Sequence, residues 1–116
     1  MEALLNPWTV ILVGTGLLLA ASGGILLKYP PKKINGLYGY RTRNSMKNQE
    51  RWDFAQKHSA GELIRTGLVM VLIGIAGVWI PGDPVFASFL SLPVLLGLTG
   101  VAIWRTESAL RRTFDD

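Results

Sequence analysis

The chain alternates between long stretches without a charge and short stretches dense in charge. Trp8 to Leu27 is a run of 20 residues with no Asp, Glu, Lys or Arg, and Val85 to Trp104 is another of 20. Thr66 to Gly82 is a third, of 17, extended backwards by Leu63 and Ile64, with Arg65 able to reach a polar layer along its aliphatic stem. At about 1.5 Å per helical residue, 20 residues span roughly 30 Å, the thickness of a bilayer's hydrocarbon core. The pattern therefore predicts three membrane spans, about 8–27, 63–80 and 85–104. Pro93 inside the third does not argue against a helix, because membrane helices tolerate proline where neighbours re-satisfy the freed carbonyl. Trp8, Trp79 and Trp104 fall near run ends, where indole prefers the headgroup level. The expectation is an all-α integral membrane protein, one domain over residues 1–116. Met1 to Pro7 contains Glu2 and no Lys or Arg, unlike the cationic start of a cleaved signal peptide.

The distribution of charge sets the expected orientation. Of the 12 Lys and Arg residues, nine lie between Lys28 and Arg65 and three, Arg105, Arg111 and Arg112, follow the last run. The start of the chain and the turn Pro81-Gly82-Asp83-Pro84 have none. The positive-inside rule then places the N-terminus outside, 28–65 inside, a tight hairpin outside, and the C-terminus inside. It also accounts for the net charge of +4 without a nucleic-acid partner. The chain has no Cys and one His, so no thiolate chemistry and no His/Asp/Glu metal cluster is expected, and no cofactor. The span interiors hold no ionisable residue, which speaks against a self-sufficient ion or proton pathway. Gly14-Thr15-Gly16 opens like a phosphate-binding loop but lies inside a span and is set aside.

Small residues point to close helix contacts. Gly16, Ala20 and Gly24 recur every four residues on span one, Gly67, Gly74 and Gly77 thin span two, and Gly97 and Gly100 thin span three. Packing within the chain is the preferred reading, and a homo-oligomer the other.

Residues 28–62 carry the chemistry. Pro30 and Pro31 stop the first helix. Gly36 and Gly39 among Tyr38 and Tyr40 suggest an ordered, irregular turn. Asn44, Ser45 and Asn48 are N-cap candidates, and a short interfacial helix is expected from about Gln49 to His58, continuing toward span two. On it Trp52, Ala55 and Ser59 share one face, and Phe54 and His58 another, suited to the headgroup layer with its basic residues meeting anionic lipid. The planar fork of Arg41 suits a carboxylate or a phosphate, with Asp53 as the internal partner. Arg41 and Arg43 as plain topology anchors, and Trp52 as a plain interface anchor, are the simpler readings. Glu62 and Arg65, three apart, are expected to pair on a helix surface. His58 has no visible partner for general-base work.

The string from Lys33 to Ala55 resembles the signature of the SdpI/YfhL family of small bacterial membrane proteins. The matching residues are Asn35, Gly39, Tyr40, Arg41, Thr42, Ser45, Met46, Lys47 and Trp52. The family is named for an immunity protein that protects a toxin-producing bacterium from its own secreted peptide, and most members have no assigned activity. The resemblance implies a protein of the bacterial inner membrane with a binding role in toxin immunity or envelope stress. Its expected partners are membrane lipids, a peptide toxin and a cytosolic regulatory protein. The expected ligand-binding set is Asn35, Tyr38, Gly39, Tyr40, Arg41, Thr42, Trp52 and Asp53. The alternative is a membrane enzyme or transporter subunit acting on lipid headgroups, with Arg41, Glu50, Trp52 and Asp53 around the headgroup.

Overall fold

The computed structural model describes residues 6–79 and 82–115. Met1–Leu5, with the region bearing on a signal peptide, lies outside them, as do Ile80 and Pro81 at the hairpin. Three α-helices make up the fold: α1, Pro7–Lys28; α2, Gln49–Ala76, closed by a 3-10 turn at Gly77–Trp79; and α3, Pro84–Phe114. All three are long and apolar enough to cross a membrane.

Each helix starts for a local reason. The Asn6 side chain accepts from Trp8 N–H, and Pro7 occupies the first turn of α1. Asn48 caps α2 by accepting from Arg51 N–H at 2.9 Å. Asp83 caps α3 by accepting from Val85 N–H, with Pro84 in its first turn. Helix α1 ends where Pro30 and Pro31 forbid continuation. Helix α3 runs unbroken through Pro93.

The separate interfacial helix expected at Gln49–His58 is absent among the described residues. Those residues are instead the first third of the continuous α2. No breaker separates His58 from Leu63, and a lone Gly61 costs a helix only about 1 kcal/mol. The face carrying Trp52, Ala55 and Ser59 is buried in protein rather than laid on lipid. The bundle is 49 Å long, against roughly 30 Å of hydrocarbon. The start of α2 and the end of α3 thus stand out of the apolar layer together.

Helices α1 and α2 cross with backbones in contact. A Cβ on Gly16 would sit 2.5 Å from the Gly67 carbonyl oxygen, and one on Gly23 would sit 2.7 Å from that of Ala60. A Cβ on Gly74 would press Leu12 and Val13, and one on Gly77 would enter the Trp8 ring. The contact stripe on α1 is therefore Gly16, Ala20 and Gly23. Gly24 is not in it, nor are Gly97 and Gly100, whose missing Cβ positions face open space. A spacing of four drifts off a 3.6-residue face, and four then three restores it. Polar bonds lock the crossing: Thr9 Oγ1 donates to the Gly74 carbonyl at 2.7 Å, and Trp8 Nε1 to that of Ile73 at 3.0 Å.

Helix α3 packs chiefly through its second half, where Ala102, Thr106, Ala109 and Leu110 are buried. Its first half leaves Phe86, Phe89, Leu92 and Leu96 exposed, the surface a span shows to lipid.

Candidate functional site

The loop between α1 and α2 folds into a lid over the protruding ends of α2 and α3. Asn35 shapes its first turn: its Oδ1 accepts from Leu37 and Tyr38 N–H at 2.9 and 2.8 Å, and its Nδ2 donates to the Lys33 carbonyl. Tyr38 Oη donates to the Tyr29 carbonyl at 2.8 Å, tying the turn to the end of α1. Gly39 has φ of 108°, the single positive φ among the described residues. A side chain there would be strained, and would also collide with Gln56 and Pro31.

That close approach lets Gln56 clamp the loop. Its amide is 1% exposed. Tyr40 N–H donates to Gln56 Oε1 at 2.7 Å, and Gln56 Nε2 donates back to the Tyr40 carbonyl at 2.8 Å. The pair copies one rung of a β-ladder with a side chain. Just beyond, Thr42 and Ser45 exchange bonds: Thr42 N–H donates to Ser45 Oγ at 2.8 Å, and Ser45 N–H to Thr42 Oγ1 at 3.1 Å.

A second clamp comes from α3. Tyr40 Oη and Thr42 Oγ1 both donate to Glu107 Oε2, at 2.7 and 2.9 Å. Burial first, then the bond to Glu107 and its negative charge, push the Tyr40 hydroxyl well above the ordinary tyrosine value of 10.0. The folded state thus holds this proton more tightly than the unfolded chain. Its contribution is complete below pH 10 and fades above it as the unfolded chain ionises. Thermal melts between pH 8 and pH 11 should show a steeper alkaline loss in the wild type than in Tyr40→Phe.

Trp52 is fully buried, and its Nε1 donates to the Pro31 carbonyl at 2.7 Å. It props the lid from below and is not a lipid-facing anchor. Trp52→Phe leaves that carbonyl unpaired and should cost about 1–3 kcal/mol of stability by thermal unfolding. Arg41, exposed, donates to the Gly36 carbonyl and does not meet Asp53. Asp53 instead accepts from Gln49 Nε2 at 2.7 Å, and the same nitrogen lies 2.6 Å from the Lys32 carbonyl.

Of the eight sequence-predicted residues, Tyr40 and Thr42 meet in one network through Gln56 and Glu107, with Gly39 packed against Gln56. Asn35 and Tyr38 bond to each other in the turn before it, Trp52 holds the Pro31 carbonyl, and Arg41 and Asp53 bond elsewhere. Within the headgroup set of Arg41, Glu50, Trp52 and Asp53, Trp52 is buried and Arg41 and Asp53 bond to the Gly36 carbonyl and Gln49.

Sequence reasoning missed Gln56, Glu107 and Arg51. Arg51 is nearly buried, donates to Asn44 Oδ1 and Asp115 Oδ1 at 2.5 Å each, and stacks over Phe114. Its guanidinium holds the Asp115 carboxyl below the usual range. Glu107, the first acid after the last apolar run, was the available signal for the α3 clamp.

Glu62 is buried rather than on a surface. Arg105 Nε donates to its Oε1 at 2.8 Å, and Arg65 lies further off at 3.7 Å. Beside it, the Thr106 hydroxyl donates to the Ala102 carbonyl, leaving its oxygen to accept from His58 Nδ1 at 3.3 Å.

Under the lid lies a lateral groove of about 390 Å³. Ser22 and Leu26 of α1 form one wall, Thr99, Ile103 and Thr106 of α3 the other, and Ser59, Glu62 and Leu63 of α2 the floor. Tyr38, Gly39 and Tyr40 roof it. The groove is mostly apolar with a few polar side chains in its lining, among them Ser59, Glu62 and Thr106, an arrangement that fits an amphiphile.

These features define a small multi-pass membrane protein with an ordered polar lid on a three-helix bundle. The model of the SdpI/YfhL protein family matches residues 32–104, so this chain belongs to that family. The uncharacterized protein YfhL of Bacillus subtilis (strain 168) is 41% identical over 101 residues, covering 86% of this chain and 84% of the relative. No solved structure matches the chain.

Proposed function

We propose that this chain is a binding protein of the bacterial inner membrane, of the toxin-immunity or envelope-stress kind. Its ligand is a hydrophobic peptide that enters the groove from the bilayer, and the lid passes occupancy to a cytosolic protein. The observation that supports this most is the groove itself: its walls, Ser22 and Leu26 of α1 and Thr99 and Ile103 of α3, belong to the uncharged runs of both helices, under a roof fixed to both α2 and α3. A peptide seated there would meet the Tyr38–Tyr40 turn directly.

The proposed orientation has the N-terminus outside and both the 28–65 segment and the C-terminus in the cytoplasm, following the one-sided distribution of Lys and Arg. A reporter fused after Asp116 should be cytoplasmic and one inserted at Gly82-Asp83 external; a cytoplasmic signal at Gly82-Asp83 would refute it.

The function is tested by protection. A sensitive bacterium expressing the chain is challenged with culture supernatant from a toxin-secreting strain. Thr99→Trp fills the groove and should abolish protection at equal expression. Leu96→Trp, on a face that is 68% exposed, should leave it intact. Equal protection by both variants would reject the groove as the binding site.

A further inference from the structure

On the other side of the Glu62–Arg105 and His58–Thr106 pairs lies a second pocket, of about 560 Å³, lined by His58, Trp104, Arg105, Ser108, Arg111 and Arg112. Helical periodicity explains the gathering: positions 104, 108 and 111 share one face of α3, and 105, 108 and 112 its flank. The lining holds three guanidinium groups and, among the described residues, no carboxylate. Of the three, only Arg105 bonds to an acid, through its Nε on Glu62, which lies outside the lining. Arg111 and Arg112 make long bonds to Ser108, at 3.3 and 3.4 Å, and both are exposed. Their forks are therefore free to turn onto an anion. The nearby Asp115 carboxylate is engaged by Arg51.

The depth of the pocket argues for the source of that anion. Trp104 closes the last uncharged run of the chain and is 63% exposed, the position of an indole at the headgroup layer. At 1.5 Å per residue, Arg111 and Arg112 stand roughly 10 Å further out, within reach of lipid phosphates. An arginine pair grips a phosphate through parallel N–H donors, a geometry that scattered lysines do not offer.

We infer that the α2–α3 pocket formed by His58, Trp104, Arg105, Arg111 and Arg112 binds the phosphate headgroup of an acidic phospholipid. The polar wall it shares with the lateral groove makes the bound lipid a neighbour of the groove's occupant. The site does not depend on what that occupant is.

Native mass spectrometry of the full chain tests this, with phosphatidylglycerol and phosphatidylcholine offered in equal amounts. Wild type should retain phosphatidylglycerol preferentially. Arg111→Gln with Arg112→Gln should reduce that retention at least about tenfold, the loss expected for one hydrogen bond to a charged group, with an unchanged melting temperature because both side chains are exposed. Lys32→Gln with Lys33→Gln removes the same charge from the lid and should leave retention as it was. Equal retention of the two lipids by wild type, or equal loss from both double variants, would overturn the inference in favour of a diffuse basic surface. Release of the lipid by millimolar inorganic phosphate would overturn the assignment to lipid and leave a free-phosphate site.

Discussion

Gly67→Val should cost the bundle about 3 kcal/mol or more. A Cβ on Gly67 would fall onto the Gly16 carbonyl oxygen and lie 2.7 Å from the Ala20 nitrogen. Overpacking usually costs about 1–3 kcal/mol because flexible side chains give way. Here the obstacles are two backbone atoms of a helix whose hydrogen bonds are all in use, so the helices must part. Separation would also strain the nearby bonds from Thr9 and Trp8. Gly97→Val is the matched control, since nothing lies within 4 Å of its missing Cβ, and it should move stability by no more than about 0.5 kcal/mol. Thermal unfolding of both variants in detergent, followed by circular dichroism, makes the comparison. Equal melting temperatures would mean that the α1–α2 crossing is looser than described.

Gln56→Ala carries the next largest effect. It removes the acceptor for Tyr40 N–H and the closer of the two donors to the Tyr40 carbonyl, in a site that excludes water. An unsatisfied buried group costs about 1–3 kcal/mol, so two bound the loss at about 2–6 kcal/mol. Ser45 Oγ, 3.2 Å from the Tyr40 carbonyl, relieves part of it and places the expectation in the lower half. Gln56→Glu sharpens the test. It keeps the acceptor for Tyr40 N–H, loses the donor to the carbonyl, and adds a buried charge on the floor of the lid. It should be no more stable than Gln56→Ala. A fall in thermal stability below about 1 kcal/mol for both would show that the lid does not rest on this clamp.

The three helices were legible because membrane spans announce themselves locally: uncharged runs of the right length, tryptophans near their ends, Pro30 and Pro31 at an end. The Asn48 cap was legible for the same reason, being one residue from what it caps. The ordered turn showed itself in the Gly-Leu-Tyr-Gly-Tyr string, although which glycine needs positive φ did not. What escaped was long-range. The partners of Tyr40 lie 16 and 67 residues away, at Gln56 and Glu107, and no spacing rule connects them. Arg41 and Asp53 matched by charge and proximity in sequence, but the Gly36 carbonyl and Gln49 were nearer in space. The stretch Gln49–His58 is amphipathic and on its pattern alone suits a lipid surface, because a sequence does not reveal that the loop before it folds back to cover Trp52. Glu62 was paired with Arg65 on helix spacing, yet α3 brings Arg105 closer.

The loop before α2 is a fixed lid rather than a basic tether. Amide hydrogen exchange of the full chain in lipid nanodiscs, read over residues 38–46, tests this most directly. Tyr40, Thr42, Ser45 and Met46 all donate backbone N–H bonds within the lid or to its clamp, so the wild type should exchange there far more slowly than an unstructured peptide. Gln56→Ala should release that protection while the centre of α2 keeps its own. Exchange of residues 38–46 at unstructured-peptide rates in the wild type would contradict the lid, and with it the roof of the proposed binding groove.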